Sequence, residues 1–300
     1  MLRIAAVISP GGAACRCDWG QSVAARAEDV PKLTSINFLY RPARAVCRSN
    51  VMEEAKRPLV IEIGKRLRPL VDGVVARNSD VPNDPVLDPA DFPFTATLRD
   101  NWRAIRDEAE AVARVPDDVP ALDEISPDHA GIAPAGMWRS FFLWGYGYPV
   151  PENLARCPRT AALVEAIPDL NSAFFSILKP GTHIPDHRGV TKGLITCHLG
   201  LIVPKTGDCR MRVHDSIVRW REGETLMFDD TYRHEVWNDS GETRVILLIQ
   251  TKRPARFPGN LIAGAFLWGV KRTPFVKEAR ANIAKWDEGL KAIEAERNAA

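Results

Sequence analysis

Between Ser172 and Gln250 the chain is a series of short apolar runs separated by Gly, Pro and Asp. The runs are Ala173–Leu178, Leu194–Val203, Cys209–Val213, Ile217–Trp220, Thr225–Phe228, Glu235–Trp237 and Arg244–Gln250. Each is too short for a stable helix, and they follow one another at hairpin spacing, so the chain must turn back repeatedly. That pattern predicts a mainly β fold, a sandwich or double-stranded β-helix (jelly roll), with flanking α-helices packed outside it. Met137–Gly147, dense in Trp and Phe, reads as a further buried strand.

Helical patterns lie on either side. Leu98, Trp102, Ile105, Ala109 and Val112 fall on one stripe, which predicts a helix over Thr95–Val115. Glu53–Asn78 is helical in pattern, with Pro58 and Pro69 expected to interrupt it. Pro158–Ile167 reads as a short helix and Pro274–Arg297 as a long one. Ser79–Pro93 reads as an extended connection and Pro116–Pro134 as a long surface loop. The chain thus divides into residues 1–51, a leader or loosely attached segment; 52–93, a helical lead-in and Pro-rich connection; 94–255, a jelly-roll domain; and 256–300, a basic, amphipathic helical extension.

Charge narrows the partners. Forty Lys and Arg against 38 Asp and Glu give a net charge of +2, far from the basicity of a nucleic-acid binder, so no nucleic-acid partner is expected. A membrane-spanning helix needs about 20 apolar residues. Leu59–Val75 is broken by Glu62, Lys65, Arg66, Arg68 and Asp72, and Leu261–Val270 is only ten residues long. A cytoplasmic barrel is expected, with the tail as a candidate for peripheral membrane contact: residues 251–300 carry ten Lys or Arg and five Asp or Glu beside Leu261, Ile262, Phe266, Leu267, Trp268 and Phe275. The six scattered cysteines predict reduced thiols, with Cys197 and Cys209 as small apolar residues in strands.

Five of the six histidines, at 183, 187, 198, 214 and 234, lie in the β-rich segment. His187 follows the Lys179-Pro180-Gly181 turn, and His234 opens a strand after Asp229-Asp230-Thr231-Tyr232. In a jelly roll, histidines from opposite strand ends can meet at the barrel mouth. Arg244 shares one strand face with Ile246, Leu248 and Gln250. A cation on so apolar a strand needs an anionic partner, and a dicarboxylate cofactor bound to a metal would supply one. His183 is expected to support its turn and His214-Asp215 to form a hairpin tip. Asp186, Asp229 and Asp230 read first as turn formers, with orientation of the ligating histidines as the alternative role.

Several linked motifs carry a resemblance. They are Phe175-Ser176-Ile177-Leu178-Lys179-Pro180-Gly181-Thr182-His183, His187-Arg188-Gly189, His198-Leu199-Gly200-Leu201, Trp220-Arg221-Glu222-Gly223-Glu224, and Phe228-Asp229-Asp230-Thr231-Tyr232-Arg233-His234-Glu235-Val236-Trp237-Asn238. In this order, over about residues 90–255, the chain resembles the aspartyl/asparaginyl β-hydroxylase family of iron(II)/2-oxoglutarate dioxygenases. The resemblance implies a hydroxylase using Fe(2+), 2-oxoglutarate and O2, with His187 and His234 as iron ligands and Ser176, His198 and Arg244 as 2-oxoglutarate contacts. Gly189 matches the position where most 2-oxoglutarate oxygenases place a carboxylate ligand; animal β-hydroxylases also carry Gly there, whereas bacterial lipid hydroxylases tend to have Asp. Thr196 departs from the family's Arg, so a carboxylate contact is lost or replaced, with Lys192 as a candidate. The lead substrate class is the Asp/Asn β-carbon of a peptide or amino acid. A lipid acyl chain is the alternative, and a non-catalytic metal or 2-oxoglutarate-binding module is the alternative of a different class.

Overall fold

A computed structural model describes residues 59–113, 119–126 and 133–299, and the side chains among them except those of 59–65 and 292–299. The segment 1–51 lies outside the described residues.

Strand β11 (Arg244–Lys252) organises the molecule. Its residues alternate: Val245, Leu247 and Ile249 join one apolar core, while Ile246 belongs to another on the opposite face. β11 pairs antiparallel with β4 (Leu170–Leu178) and with β6 (Leu194–Ile202), and all three are nine residues long. Around them the larger sheet is completed by β1 (Val86–Leu87), β2 (Trp138–Gly145), β3 (Tyr148–Pro149) and β9 (Thr225–Phe228), in the order β1-β9-β6-β11-β4-β2-β3. The smaller sheet holds β5 (Thr182–His187), β7 (Asp208–Val213), β8 (Ser216–Val218) and β10 (His234–Asp239), in the order β5-β10-β7-β8. Every ladder is antiparallel. The inner core between the sheets contains Leu178, Ile184, Met211, Trp220, Phe228 and Ile246. This is the mainly β, jelly-roll architecture that the punctuated runs require.

Helices flank the larger sheet on both of its faces. Helix α1 (Leu59–Arg77) continues past Pro69. The Arg68–Asp72 pair (3.2 Å) spans the proline, and the helix packs on α7 (Gly259–Val270), so tertiary contact holds a helix that propensity alone would break. The single helix expected over Thr95–Val115 is two, α2 (Phe94–Asp100) and α3 (Trp102–Ala113). The break falls at Asn101, whose side-chain amide donates to the Thr97 carbonyl at 2.9 Å and competes with the helical bond. Leu98, Ile105 and Ala109 remain on one buried stripe.

Within the segment read as a surface loop, α4 (Leu122–Ile125) forms one buried helical turn. Glu124 accepts the Ala121 N–H at 2.8 Å, and Leu122 and Ile125 pack on Phe142 and Ile283. α5 (Pro151–Arg156) and α6 (Pro158–Glu165) follow β3. The final helix, α8 (Pro274–Ala299), packs on the barrel through Val276, Ala279 and Ile283 and through the Arg156–Asp287 ion pair at 2.7 Å. Cys197 and Cys209 are buried free thiols in β6 and β7, and burial pushes the Cys197 thiol up to about 12.

Candidate functional site

His187 ends β5 and His234 opens β10, and the two residues face each other across the ladder. That register brings their ring centroids to 4.1 Å. Each Nδ1 meets a main-chain carbonyl two residues back: His187 to Pro185 at 2.8 Å and His234 to Tyr232 at 3.0 Å. A carbonyl can only accept, so Nδ1 carries the proton in both rings and each Nε2 keeps its lone pair. Burial lowers the pKa of His187 and brings that of His234 to about 4, with the neighbouring imidazole adding to the second shift. The pair is therefore neutral near pH 7, the form a metal ion requires. Among the described residues no group of three or more His, Cys, Asp or Glu is placed to hold a metal ion; the pair offers two donors.

Gly189 lies two residues beyond His187, and its neighbour in space is Asp230. A Cβ on Gly189 would sit 2.1 Å from Asp230 Oδ1. The Gly189 N–H donates to the Asp230 carbonyl at 2.6 Å. The Asp230 carboxyl therefore fills the space that any larger residue at 189 would need. Its Oδ2 accepts from Thr196 Oγ1 at 3.1 Å and from Gln250 Nε2 at 3.0 Å, while Oδ1 is buried without a partner. Burial, and then the Asp229 charge, push this carboxyl up to about 7. Thr196 is thus a partner of Asp230.

Lys192 is committed elsewhere: its ammonium donates to Asp229 Oδ2 at 2.6 Å, and the fully buried Arg253 binds the same oxygen. The buried Asp229 carboxylate holds both cations, so the Lys192 ammonium is turned towards Asp229 and not offered as a stand-in for the family's arginine. The turn-forming role expected of the three aspartates holds only for Asp229, whose Oδ1 accepts the Thr231 N–H at 3.0 Å. Asp230 points inward, and Asp186 lies in β5, paired with Arg212 and Arg233.

Deeper in the barrel, Ser176, His198 and Arg244 all lie on the inner face, because β4, β6 and β11 alternate in step. Arg244 is 2% exposed, and its Nε and Nη1 have no hydrogen-bond partner. Its guanidinium lies 4.6 Å from the Trp220 ring centroid, and burial pulls its pKa down to about 10. Trp220 Nε1 donates to His198 Nδ1 at 3.2 Å. An indole N–H can only donate, so His198 carries its proton on Nε2, which is buried and unpartnered. Burial and the nearby Arg244 charge hold the His198 pKa well below its ordinary value. Ser176 Oγ accepts from Trp138 Nε1 at 2.9 Å, which leaves its own hydrogen to donate. A buried guanidinium with idle donors beside an idle imidazole N–H is costly unless an anion completes it.

His183 and His214 are peripheral. His183 is an exposed strand residue of β5, not a turn residue: its ring stacks on Trp237 at 5.4 Å and its Nε2 meets Glu235 at 2.7 Å. β5 is an edge strand, which is why it tolerates Pro185. His214 caps the β7–β8 turn with φ 53°. The residue sequence reasoning missed is Trp220; nothing in the run Ile217–Trp220 shows where an indole N–H will point.

The fold and site define a jelly-roll protein with two neutral histidines paired at one sheet edge and unpaired, buried donors inside. The family model for aspartyl/asparaginyl beta-hydroxylase matches residues 99–254, and the chain belongs to that family. It is 40% identical over 218 residues to an ornithine lipid ester-linked acyl 2-hydroxylase of Rhizobium tropici, covering 72% of this chain and 78% of that protein. It is 34% identical over 167 residues to the human aspartyl/asparaginyl beta-hydroxylase, covering 54% of this chain and 21% of that one. Among solved structures, a Pseudomonas putida prolyl-4-hydroxylase aligns with 54% of this chain at 17% identity and a TM-score of 0.33.

Proposed function

We propose that the chain is an iron(II)- and 2-oxoglutarate-dependent hydroxylase acting on the acyl chain of a polar lipid, with residues 94–255 as its catalytic domain. The observation that carries the cofactor is the set of buried, unpartnered donors on Arg244 and His198 beside the neutral His187–His234 pair. They fit the group: two imidazole Nε2 atoms suit iron(II), a planar guanidinium suits a carboxylate in two-point contact, and the His198 Nε2–H offers a further bond to an anion. When bound, iron(II) and 2-oxoglutarate supply with O2 the oxidising power to hydroxylate an unactivated C–H bond, releasing succinate and carbon dioxide.

The chain's own residues then have distinct tasks. His187 and His234 hold the metal, with Pro185 and Tyr232 carbonyls fixing their tautomers. Arg244 and Ser176 bind the distal carboxylate, and the inner core of Ile184, Phe228 and Val236 keeps water from it. Trp220 holds the His198 ring so that its proton faces inward. The lipid reading rests on the 40% identity to the acyl 2-hydroxylase over most of that protein's length. The Asp/Asn β-carbon is the second reading, favoured by Gly189 at the position where the animal enzymes also carry Gly.

The test supplies the purified chain with Fe(II), 2-oxoglutarate, O2 and either an ornithine lipid or an Asp-containing peptide, and measures succinate and product mass. Succinate coupled to gain of one oxygen atom by the lipid is expected. Coupling to the peptide instead selects the second reading, and no succinate with either marks a binding module. His187→Ala and His234→Ala are expected to lose iron binding and succinate release together.

A further inference from the structure

We propose that the face formed by α1 and α7 docks on the surface of an anionic lipid bilayer. That the bilayer carries the substrate rests on the acyl-hydroxylase reading above; the docking itself rests on the surface.

Helix α7 has two unlike sides. Gly259, Ala263 and Leu267 are buried at helical spacing, on the side that packs on α1. Gly259 lets the chains come close, since a Cβ there would lie 2.7 Å from that of Asn78. On the outward side, Phe257 is 75%, Leu261 61% and Trp268 60% exposed. With Lys252, Asn260 and Gly264 they line an open groove. Leu67 and Leu70 of α1 are also exposed, as is Val190. Val190 follows Gly189, whose carbonyl accepts from Arg68 Nη2 at 2.6 Å, so α1 is clamped to the segment just after His187. Six of the seven exposed large hydrophobic side chains among the described residues therefore belong to α1, to α7 and its lead-in, or to the clamped segment; Ile217 is the seventh. Apolar surface gathered in this way marks an interaction site.

Charge selects the occupant. Residues 243–277 contain no Asp or Glu and seven Lys or Arg, of which Arg244 and Arg253 are buried and Lys252, Arg256, Lys271, Arg272 and Lys277 reach the surface. Lys252 and Arg272 have no acidic partner among the described residues, and the Arg272 guanidinium lies 3.5 Å from the Trp268 ring centroid. Exposed aliphatic and indole groups among cations match the boundary between acyl chains and anionic headgroups. A second copy of the same face would bring like charges together. The basic tail does not act as one unit: α8 is packed on the barrel, and the outward apolar residues are those of α7.

The experiment is co-sedimentation of the full chain with vesicles of phosphatidylcholine alone or mixed with phosphatidylglycerol, at low and high salt. Binding to the anionic vesicles that weakens with salt is expected. Leu261→Asp with Trp268→Asp should weaken it by about tenfold or more, given the cost of an acidic charge at an anionic interface, while Trp268→Phe should retain most of it. Equal thermal midpoints, and unchanged turnover of detergent-dispersed lipid, establish that the double variant is folded. No binding of the parent chain at low salt, undiminished binding by the double variant, or self-association through this face in place of vesicle binding would overturn the proposal. Vesicle binding without acyl hydroxylation would sink the substrate reading and leave the docking; acyl hydroxylation without vesicle binding would do the reverse.

Discussion

Trp220 donates its indole N–H to Nδ1 of His198 at 3.2 Å, and the same ring lies beneath the guanidinium of Arg244 at 4.6 Å. One side chain thus sets the tautomer of the inner imidazole and supports the inner cation. Trp220→Phe keeps an aromatic face under Arg244 but removes the donor, freeing His198 to turn its proton outward. Loss of one hydrogen bond contributes about 0.5–1.5 kcal/mol, so 2-oxoglutarate should bind roughly two- to twelvefold more weakly by calorimetry. Unchanged affinity would show that the tautomer does not matter to binding.

Arg244 gives a prediction with opposite signs in two measurements. In the apoprotein its charge is buried without an anion, so Arg244→Met should raise the thermal midpoint, by an amount comparable with the roughly 1–4 kcal/mol gained when buried ion pairs give way to well-packed apolar groups. The same variant should lose the stabilisation that added 2-oxoglutarate brings to the parent chain, which grows with the logarithm of ligand concentration. A variant that is destabilised without ligand would mean that the guanidinium is better solvated than its surroundings indicate.

The pH dependence of Asp230 can be isolated with Asp230→Asn. Burial raises this carboxyl in the folded chain to about 7, against about 3.9 when unfolded. The unfolded chain releases that proton first, so the raised group contributes stability at low pH that is lost as pH rises from about 4 to about 7. His234 works the other way, since its folded pKa of about 4 makes stability grow as pH rises from 4 towards its unfolded value near 6.5. The difference in midpoint between Asp230→Asn and the parent should therefore increase with pH across 4–7, whatever the parent's own profile does. A flat difference would place the Asp230 titration in its ordinary range.

Gly189→Ala should cost about 1–3 kcal/mol by overpacking, because its new carbon would sit 2.1 Å from the Asp230 carboxylate. Adding Asp230→Ala should recover much of the loss, a coupling read from urea unfolding of the two single variants and the double one. Strict additivity would separate the two residues.

The face-sharing of Arg244, Ile246, Leu248 and Gln250 was legible from alternation alone, because a strand offers only two sides and the other one carries Val245, Leu247 and Ile249. The pairing of His187 with His234 was approachable in the same way, since both stand at run ends beside turn residues. Other features depended on which distant segments meet. Asp230 reads as a turn residue until Gly189 is brought against it. Lys192 reads as a spare cation until Asp229 and Arg253 are seen around it. The two sides of α7 have meaning only once α1 covers one of them. Local sequence sets period, punctuation and residue chemistry, because these act through neighbours along the chain. Long-range register and the direction of each polar atom are set by packing between segments far apart in sequence, and that is where Trp220, Asp230 and the outward face of α7 were decided.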